Sequence, residues 1–312
     1  MASEYVTVPG ARLYTERTGD GPSLLLISGG GGDAGMYEEV VPLLAERYTV
    51  LIYDRRGNSR SRFTDPDAAI DIATQAGDAI AVLDHYGVDR AYLFGGSGGA
   101  VIALEVLARH ADRLIGMVAH EPPLVSILPP DSPERRDLAE IGRLAREKSP
   151  MRAYAAFGAM ILKDPPWLFR SPVGQTLVAA ASRIALPVGA AVRRVTGGEP
   201  SSMTRQLGNA DLLLRRELPL IGLAYRPDLR ALRDVDVPWL LATGRDSVGK
   251  PYHRPAHVLA EQLGVRCEEF PGGHTVYIEQ PREFTEILVT ILEGFPGPAP
   301  HVSRPGATRT SQ

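Results

Sequence analysis

The residues whose types and spacing most clearly point to chemistry are residues 93–99, which read LFGGSGG. An apolar stretch typical of a strand leads into these glycines, and a stretch with helical character follows them. A serine at the centre of G-x-S-x-G, between a strand and a helix, lies on a sharp turn that exposes its hydroxyl at the edge of a sheet. The pattern therefore indicates Ser97 as a nucleophile. The alternative is a glycine-rich turn with an idle serine.

A serine nucleophile needs a general base, and the base needs an acid that orients it. Two residues C-terminal to Ser97 fit these roles. Asp246 follows a predicted buried strand over residues 237–244, and His274 follows an alternating segment over residues 265–270. Catalytic groups gather beyond the carboxyl ends of strands in open α/β sheets. Each residue alone could be an ordinary surface side chain, but the order nucleophile, acid, histidine favours a catalytic triad.

Three further segments carry a resemblance to a known family. Residues 24–30 read LLLISGG, residues 53–61 read YDRRGNSRS and residues 271–274 read PGGH. With the serine turn, they resemble the strand and oxyanion loop, the D-x-R-G-x-G-x-S turn and the histidine loop of the α/β-hydrolase fold superfamily. The resemblance extends from about Tyr5 to Phe295, apart from a central insertion.

The resemblance implies a role for each matching residue. Ser97 would be the nucleophile, Asp246 the acid and His274 the base, and the backbone N–H groups of Gly30 and Gly98 would stabilise an oxyanion. Glu121, which follows the preceding strand, is the alternative acid, because some members of the family place their acid there.

The glycine-rich loop departs from the family pattern. The family often has His-Gly where this chain has Ser28-Gly29, and residues 29–32 are four consecutive glycines. We expect a loop that side chains hold less firmly, with room for a ligand. The run lacks the Lys-Ser/Thr pair of a phosphate-binding loop and the G-x-G-x-x-G spacing of a dinucleotide site.

The alternation of predicted strands and helices indicates an α/β fold, with a doubly wound, mostly parallel sheet. Residues 122–235 contain no clear strand, and their serine-proline pairs are typical of helix starts. We therefore expect an all-α cap at 122–235 inserted into a core of residues 1–121 and 236–295, with a disordered tail at 296–312. Apolar cap residues expected to face the cleft and bind substrate are Phe157, Trp167 and Phe169.

Composition excludes several classes of function. The 312 residues carry a formal net charge of −3, which gives no reason to expect a nucleic-acid partner. Cys267 is the only cysteine, so no disulfide can form within the chain. The N-terminal residues lack a leader pattern, no run approaches the length of a membrane span, and no cluster has metal-ligand spacing. We expect a cytoplasmic protein with a small-molecule substrate, no cofactor, no metal and no membrane partner.

Taken together, these patterns predict a carboxylesterase-like serine hydrolase that cleaves an ester-like bond in an apolar or bulky small molecule through an acyl-enzyme. The same triad also supports amidase, lactonase, C–C hydrolase or aminopeptidase-like activity. A non-catalytic ligand-binding protein on the same fold is the alternative outside enzymes.

Overall fold

A computed structural model of the protein describes residues 2–296. A single sheet of nine strands forms its centre, in the order β1-β2-β4-β3-β6-β7-β8-β9, with β5 paired to β2. The strands are β1 Ala2–Val8, β2 Ala11–Thr18, β3 Ser23–Ile27, β4 Thr49–Tyr53, β5 Arg62–Phe63, β6 Ala91–Gly96, β7 Leu114–His120, β8 Trp239–Gly244 and β9 Cys267–Phe270.

The pairing of the strands confirms the predicted sheet. The β1/β2, β2/β4 and β2/β5 pairs are antiparallel, and every pair from β4 to β9 is parallel. Central strands of such a sheet are covered on both faces, which explains their continuous apolar runs. All five residues of β4 are buried, for example.

Twelve α-helices accompany these strands in the described part of the chain. They are α1 Val41–Leu44, α2 Ile72–His85, α3 Gly98–His110, α4 Pro133–Glu147, α5 Pro150–Ile161, α6 Trp167–Arg170, α7 Pro172–Thr196, α8 Ser202–Gly208, α9 Leu229–Arg233, α10 His253–Leu263, α11 Val276–Glu279 and α12 Pro281–Glu293.

Helices cover both faces of the sheet, as a doubly wound fold requires. One apolar cluster joins one face of the sheet to α2, α3 and α10, and a second joins the other face to α1, α11 and α12. The helical segment between β3 and β4 is short, since α1 has four residues. A 3₁₀ turn at Ala34–Tyr37 precedes α1, and Pro42 occupies the first turn of that helix, where its missing N–H is tolerated.

The insertion between β7 and β8 contains helices and no strand. It comprises α4–α9, a 3₁₀ turn at Val125–Ile127 and two π-helical segments, Leu212–Glu217 and Pro219–Ala224. The predicted serine caps are present, since Ser132, Ser149 and Ser171 each accept a backbone N–H in the first turn of α4, α5 and α7. Ten buried residues of this region form an apolar cluster of their own. The division into separate domains stays a prediction.

One expectation about the insertion needs correction. Within residues 2–296, α7 alone is long and apolar enough, by length and composition, to cross a membrane. Arg183 lies near the middle of α7 and divides its apolar sequence into two shorter runs, so neither run alone has the length of a membrane span. The predicted disordered tail at 296–312 lies outside the described residues, apart from residue 296.

Candidate active site

Ser97 lies at the turn between β6 and α3, as the motif predicts. Its backbone has φ 55° and ψ −121°, a conformation that is strained for a residue with a side chain. Neighbouring glycines allow this turn to pack closely. A Cβ on Gly95 would lie 2.4 Å from the carbonyl oxygen of Gly99, and one on Gly99 would lie 2.1 Å from that of Ile27. Any larger residue at these two positions would force the turn apart.

The two expected oxyanion donors lie on either side of Ser97. Gly98 is the first residue of α3, so its N–H has no partner within the helix and is free for a ligand. Gly30 lies in the loop after β3 and lines the same cavity as Ser97 and Gly98. That loop passes close to the nucleophile, because a Cβ on Gly29 would come within 2.9 Å of the Ser97 Cβ.

His274 is buried and bonded to a carboxylate, but the carboxylate is that of Glu121. The distance from His274 Nδ1 to Glu121 Oε2 is 2.6 Å, and Glu121 is fully buried. The second carboxylate oxygen, Oε1, accepts the backbone N–H of Gly244 at 2.7 Å. Glu121 itself has a positive φ of 48° directly after β7. A positive φ is unfavourable for a residue with a side chain, and it persists where surrounding contacts enforce it.

Asp246, the preferred acid in the sequence analysis, does not contact His274. Its carboxylate instead pairs with Lys163 Nζ at 2.7 Å, in an ion pair that is partly exposed on both sides. The residue does follow β8 as predicted, and its backbone N–H donates to Gly272 of the histidine loop. The side chain points outward because the inner position against His274 is already filled by Glu121 from the adjacent strand β7.

The electrostatics around Glu121 favour an ionised carboxylate. Burial alone would raise the pKa of Glu121, but attraction to His120, which is protonated in acid, and the hydrogen bond from His274 lower that pKa to about 2. Burial lowers the pKa of His120 to about 4, so His120 is uncharged at neutral pH. The bond from His274 is therefore what holds Glu121 in its charged form near pH 7.

Tyr252 stacks on one face of the His274 ring. The two rings stack with centroids 3.7 Å apart and planes 26° apart. Tyr252 precedes α10 and lines the cavity beside Ser97. Sequence reasoning missed it, because no motif connects a tyrosine at this position with a histidine 22 positions later in the chain.

The cavity beside Ser97 is apolar and partly open, and it spans about 510 Å³ when space open to solvent is counted. Ser97 and His274 lie on its core side, and most of its remaining lining comes from the helical insertion. The insertion residues that line it are Pro123, Val125, Leu138, Phe157, Met160, Ile161, Leu213, Leu218, Ile221 and Gly222. Arg55 is the only arginine or lysine in the lining, and Glu217 pairs with it at 2.7 Å. The cavity therefore suits an uncharged, apolar group.

Of the three aromatic residues expected to face the cleft, only Phe157 lines the cavity. A Cβ on Gly30 would lie 3.3 Å from its ring, so Phe157 packs directly on the proposed oxyanion loop. Trp167 is 63% exposed on α6. Phe169 packs against Gly158 of α5 instead. A helix boundary between residues 162 and 166 turns both side chains away from the cavity.

The glycine-rich loop is held by hydrogen bonds from one core residue and from the insertion, which sequence reasoning did not foresee. Arg55 donates to the Gly29 carbonyl at 2.9 Å while its guanidinium forms a buried pair with Glu217. Asn209 donates to the Gly31 carbonyl at 2.6 Å. The expectation of a loosely held loop is therefore wrong, since Arg55 of the core and Asn209 of the insertion replace the missing local contact.

A third link lies at the end of the same loop. Asp33 accepts hydrogen bonds from Arg205 and Ser202 of α8, at 2.6 and 2.8 Å. The insertion therefore binds the loop at Gly31 and Asp33, and Arg55 of the core binds it at Gly29, on the other side of Gly30. The partners in the insertion are 169–178 residues apart in sequence from the loop positions they bind, so no local pattern could reveal them.

The fold and this arrangement define an enzyme class, and comparison with known proteins agrees. A sequence profile of the alpha/beta hydrolase family matches residues 24–287. An uncharacterized hydrolase, YraK of Bacillus subtilis (strain 168), is 32% identical over 92% of this chain and 94% of the relative. The chain therefore belongs to the alpha/beta hydrolase family, and the protein is a hydrolase.

More distant relatives carry more specific names. The putative carbamate hydrolase RutD of Serratia proteamaculans (strain 568) is 25% identical over 86% of this chain and 90% of the relative. Among solved structures, the esterase RhEst1 from Rhodococcus sp. ECU1013 superposes with a TM-score of 0.65 at 24% identity, covering 95% of this chain and 100% of the esterase. At that identity, the structural match shows the shared fold only.

Proposed function

We propose that the protein is a serine hydrolase that cleaves esters of apolar acyl groups through an acyl-enzyme. The observation that carries the proposal is a single constellation. A serine on a strained strand-to-helix turn and a buried histidine held by a carboxylate line one apolar cavity. These are the residue types and roles that acyl transfer requires. The names of two similar proteins, an esterase of the same fold and a putative carbamate hydrolase, agree with this class of reaction.

Each residue has a definite role in the proposed reaction. The carboxylate of Glu121 accepts a hydrogen bond from Nδ1–H of His274, which leaves Nε2 free to take the proton of the Ser97 hydroxyl. Ser97 Oγ then bonds to the ester carbonyl carbon. The N–H groups of Gly30 and Gly98 stabilise the negative oxygen of the tetrahedral intermediate. The histidine returns its proton to the leaving alcohol, and a water molecule, activated by the same base, releases the acid.

Covalent labelling tests the proposal directly. A fluorophosphonate probe reacts with an activated serine, so the wild-type protein should gain the probe mass on the peptide that contains Ser97. Hydrolysis of p-nitrophenyl acetate should be lost in proportion to labelling. A chain that binds hydrophobic ligands without catalysis would take up no probe and release no nitrophenol.

Replacing Phe157 with alanine is expected to change the acyl preference. Loss of the ring beside Gly30 enlarges the cavity, so kcat/KM for p-nitrophenyl octanoate relative to the acetate should rise about tenfold, the effect of one or a few methylene contacts. Trp167→Ala, at an exposed position on a neighbouring helix, is the matched control and should leave this ratio unchanged. Thermal melts identify any variant that has lost its fold. An unchanged ratio in folded Phe157→Ala would place acyl selection elsewhere.

Replacing Asn209 with alanine tests whether the insertion positions the oxyanion loop. The substitution removes the bond to the Gly31 carbonyl without touching Ser97, Glu121 or His274. We expect kcat for p-nitrophenyl acetate to fall about tenfold with little change in KM, because a displaced donor weakens binding of the transition state only. Lys163→Ala also removes a link between insertion and core, at Asp246, and should leave kcat unchanged. Equal effects of the two changes would show general loosening rather than positioning.

A further inference from the structure

Helix α7 is long, apolar and largely uncovered. It runs from Pro172 to Thr196, and only Gly174, Gln175 and Ala179 are buried along it. From residue 182 onward none of its residues is buried. A helix this apolar is normally buried in the core of a soluble domain. Only 11% of the most apolar 18-residue segment of α7 is buried. It also lies in the middle of the chain, which does not fit an N-terminal leader segment.

The exposed apolar side chains form one stripe. At 100° per residue, they fall within an arc of about 100° on the helix. Between the first and the last of them the helix extends about 33 Å. The six side chains of this stripe are Val173, Leu177, Ile184, Val188, Val192 and Val195. Contiguous apolar surface of this extent on a protein marks a site of interaction.

The charges on the same helix are all positive. Arg183, Arg193 and Arg194 are its only ionisable side chains, and α7 contains no aspartate or glutamate. The helical repeat places these arginines on the side opposite the apolar stripe or flanking it. Among residues 2–296 none of the three forms an ion pair. An apolar stripe with a purely basic opposite face is typical of helices that lie in the surface of a membrane.

We propose that α7 docks the protein on an anionic phospholipid bilayer. The apolar stripe enters the boundary between acyl chains and headgroups, and the arginines contact lipid phosphates. Helix α6, which packs against α7, adds the exposed indole of Trp167, a side chain that favours the membrane interface. A second copy of the chain is a poorer occupant of the stripe. Pairing two α7 helices through the stripe would place the flanking Arg183 and Arg194 of each helix beside a second basic helix, and neither helix carries an acidic partner.

Vesicle binding of the full chain tests this proposal. The protein is floated with vesicles of phosphatidylcholine alone and of phosphatidylcholine with 30 mol% phosphatidylglycerol, a composition chosen as the anionic probe. We expect binding to the anionic vesicles and at least about tenfold weaker binding to the neutral ones, since each basic residue near an anionic surface strengthens binding severalfold. Raising the salt to 1 M should weaken the binding.

Two variants separate the apolar and the basic contributions. Ile184→Ser with Val188→Ser should reduce binding about tenfold or more, because two side chains that would enter the bilayer are lost. Arg183→Glu with Arg194→Glu should reduce binding to the anionic vesicles by a similar factor. Arg230→Glu with Arg282→Glu makes the same charge change at exposed sites outside α7 and should leave binding nearly unchanged. Hydrolysis of p-nitrophenyl acetate by each variant checks that the fold is kept.

Several results would overturn the proposal. The stripe does not bind lipid if the wild-type protein floats with neither type of vesicle. The same conclusion follows if the α7 variants bind vesicles as well as the wild type. A wild-type dimer in light scattering, converted to monomer by Ile184→Ser with Val188→Ser and unable to bind vesicles, would assign the stripe to a second copy of the chain.

Discussion

Replacing Ser97 with alanine is expected to lower kcat for p-nitrophenyl acetate by about 10⁴-fold or more and to abolish fluorophosphonate labelling. The physical reason is that the acyl-enzyme cannot form without the hydroxyl, whereas the cavity and the oxyanion donors remain. Substrate binding should therefore persist, and a competitive apolar inhibitor should bind the variant with nearly unchanged affinity. Ser97 lies on a turn of positive φ, so the loss of a single oxygen atom is the mildest change available there.

Ser126 provides a matched control for this substitution. It is buried like Ser97, but its hydroxyl bonds to the carbonyl of Tyr225 in the insertion. Ser126→Ala should keep labelling and should change kcat by less than an order of magnitude. If Ser97→Ala retained full activity in a sample free of contaminating esterase, Ser97 would not be the nucleophile and the proposed acyl-enzyme mechanism would fail.

Replacing Glu121 with glutamine is expected to lower kcat by about 10²–10⁴-fold with KM nearly unchanged. The amide keeps the size of the side chain but removes the negative charge that stabilises the imidazolium of His274. It can also present an N–H to Nδ1, which would place the histidine proton on the wrong nitrogen. The hydrogen bond of 2.6 Å and the full burial of Glu121 make this charge hard for solvent to replace.

Asp246→Asn is the decisive comparison for the acid. Its carboxylate meets Lys163 at the surface, where an ion pair contributes at most about 1 kcal/mol. We expect kcat within about threefold of wild type, because no reacting group touches Asp246. The reverse pattern, with Asp246→Asn crippling and Glu121→Gln mild, would return the role to Asp246. It would mean that the histidine loop rearranges when substrate binds. Thermal melts distinguish either result from unfolding. Glu121→Gln is the variant more prone to unfold, because it alters a buried polar network.

The local patterns of the sequence determined the fold and two members of the proposed triad. Strand, glycine-rich turn and helix around Ser97 are all contained within residues 91–110, so spacing alone could reveal them. His274 was found because it follows a recognisable strand and turn. The helical insertion was visible in the same way, since serine-proline caps and apolar spacing are properties of adjacent residues.

The choice of acid and the support of the glycine loop were decided by tertiary structure. Asp246 and Glu121 both follow strands that end at one edge of the sheet, and sequence order permits either. The difference lies in which side chain turns inward, and the backbone conformation of Glu121 and the N–H of Gly244 hold the carboxylate of Glu121 against His274. Asn209 bonds to the loop directly and Glu217 acts on it through Arg55, because the insertion packs against the core at this point. Hydrogen bonds between segments so distant in sequence produce no periodic pattern in the sequence. Only tertiary packing brings the two segments together.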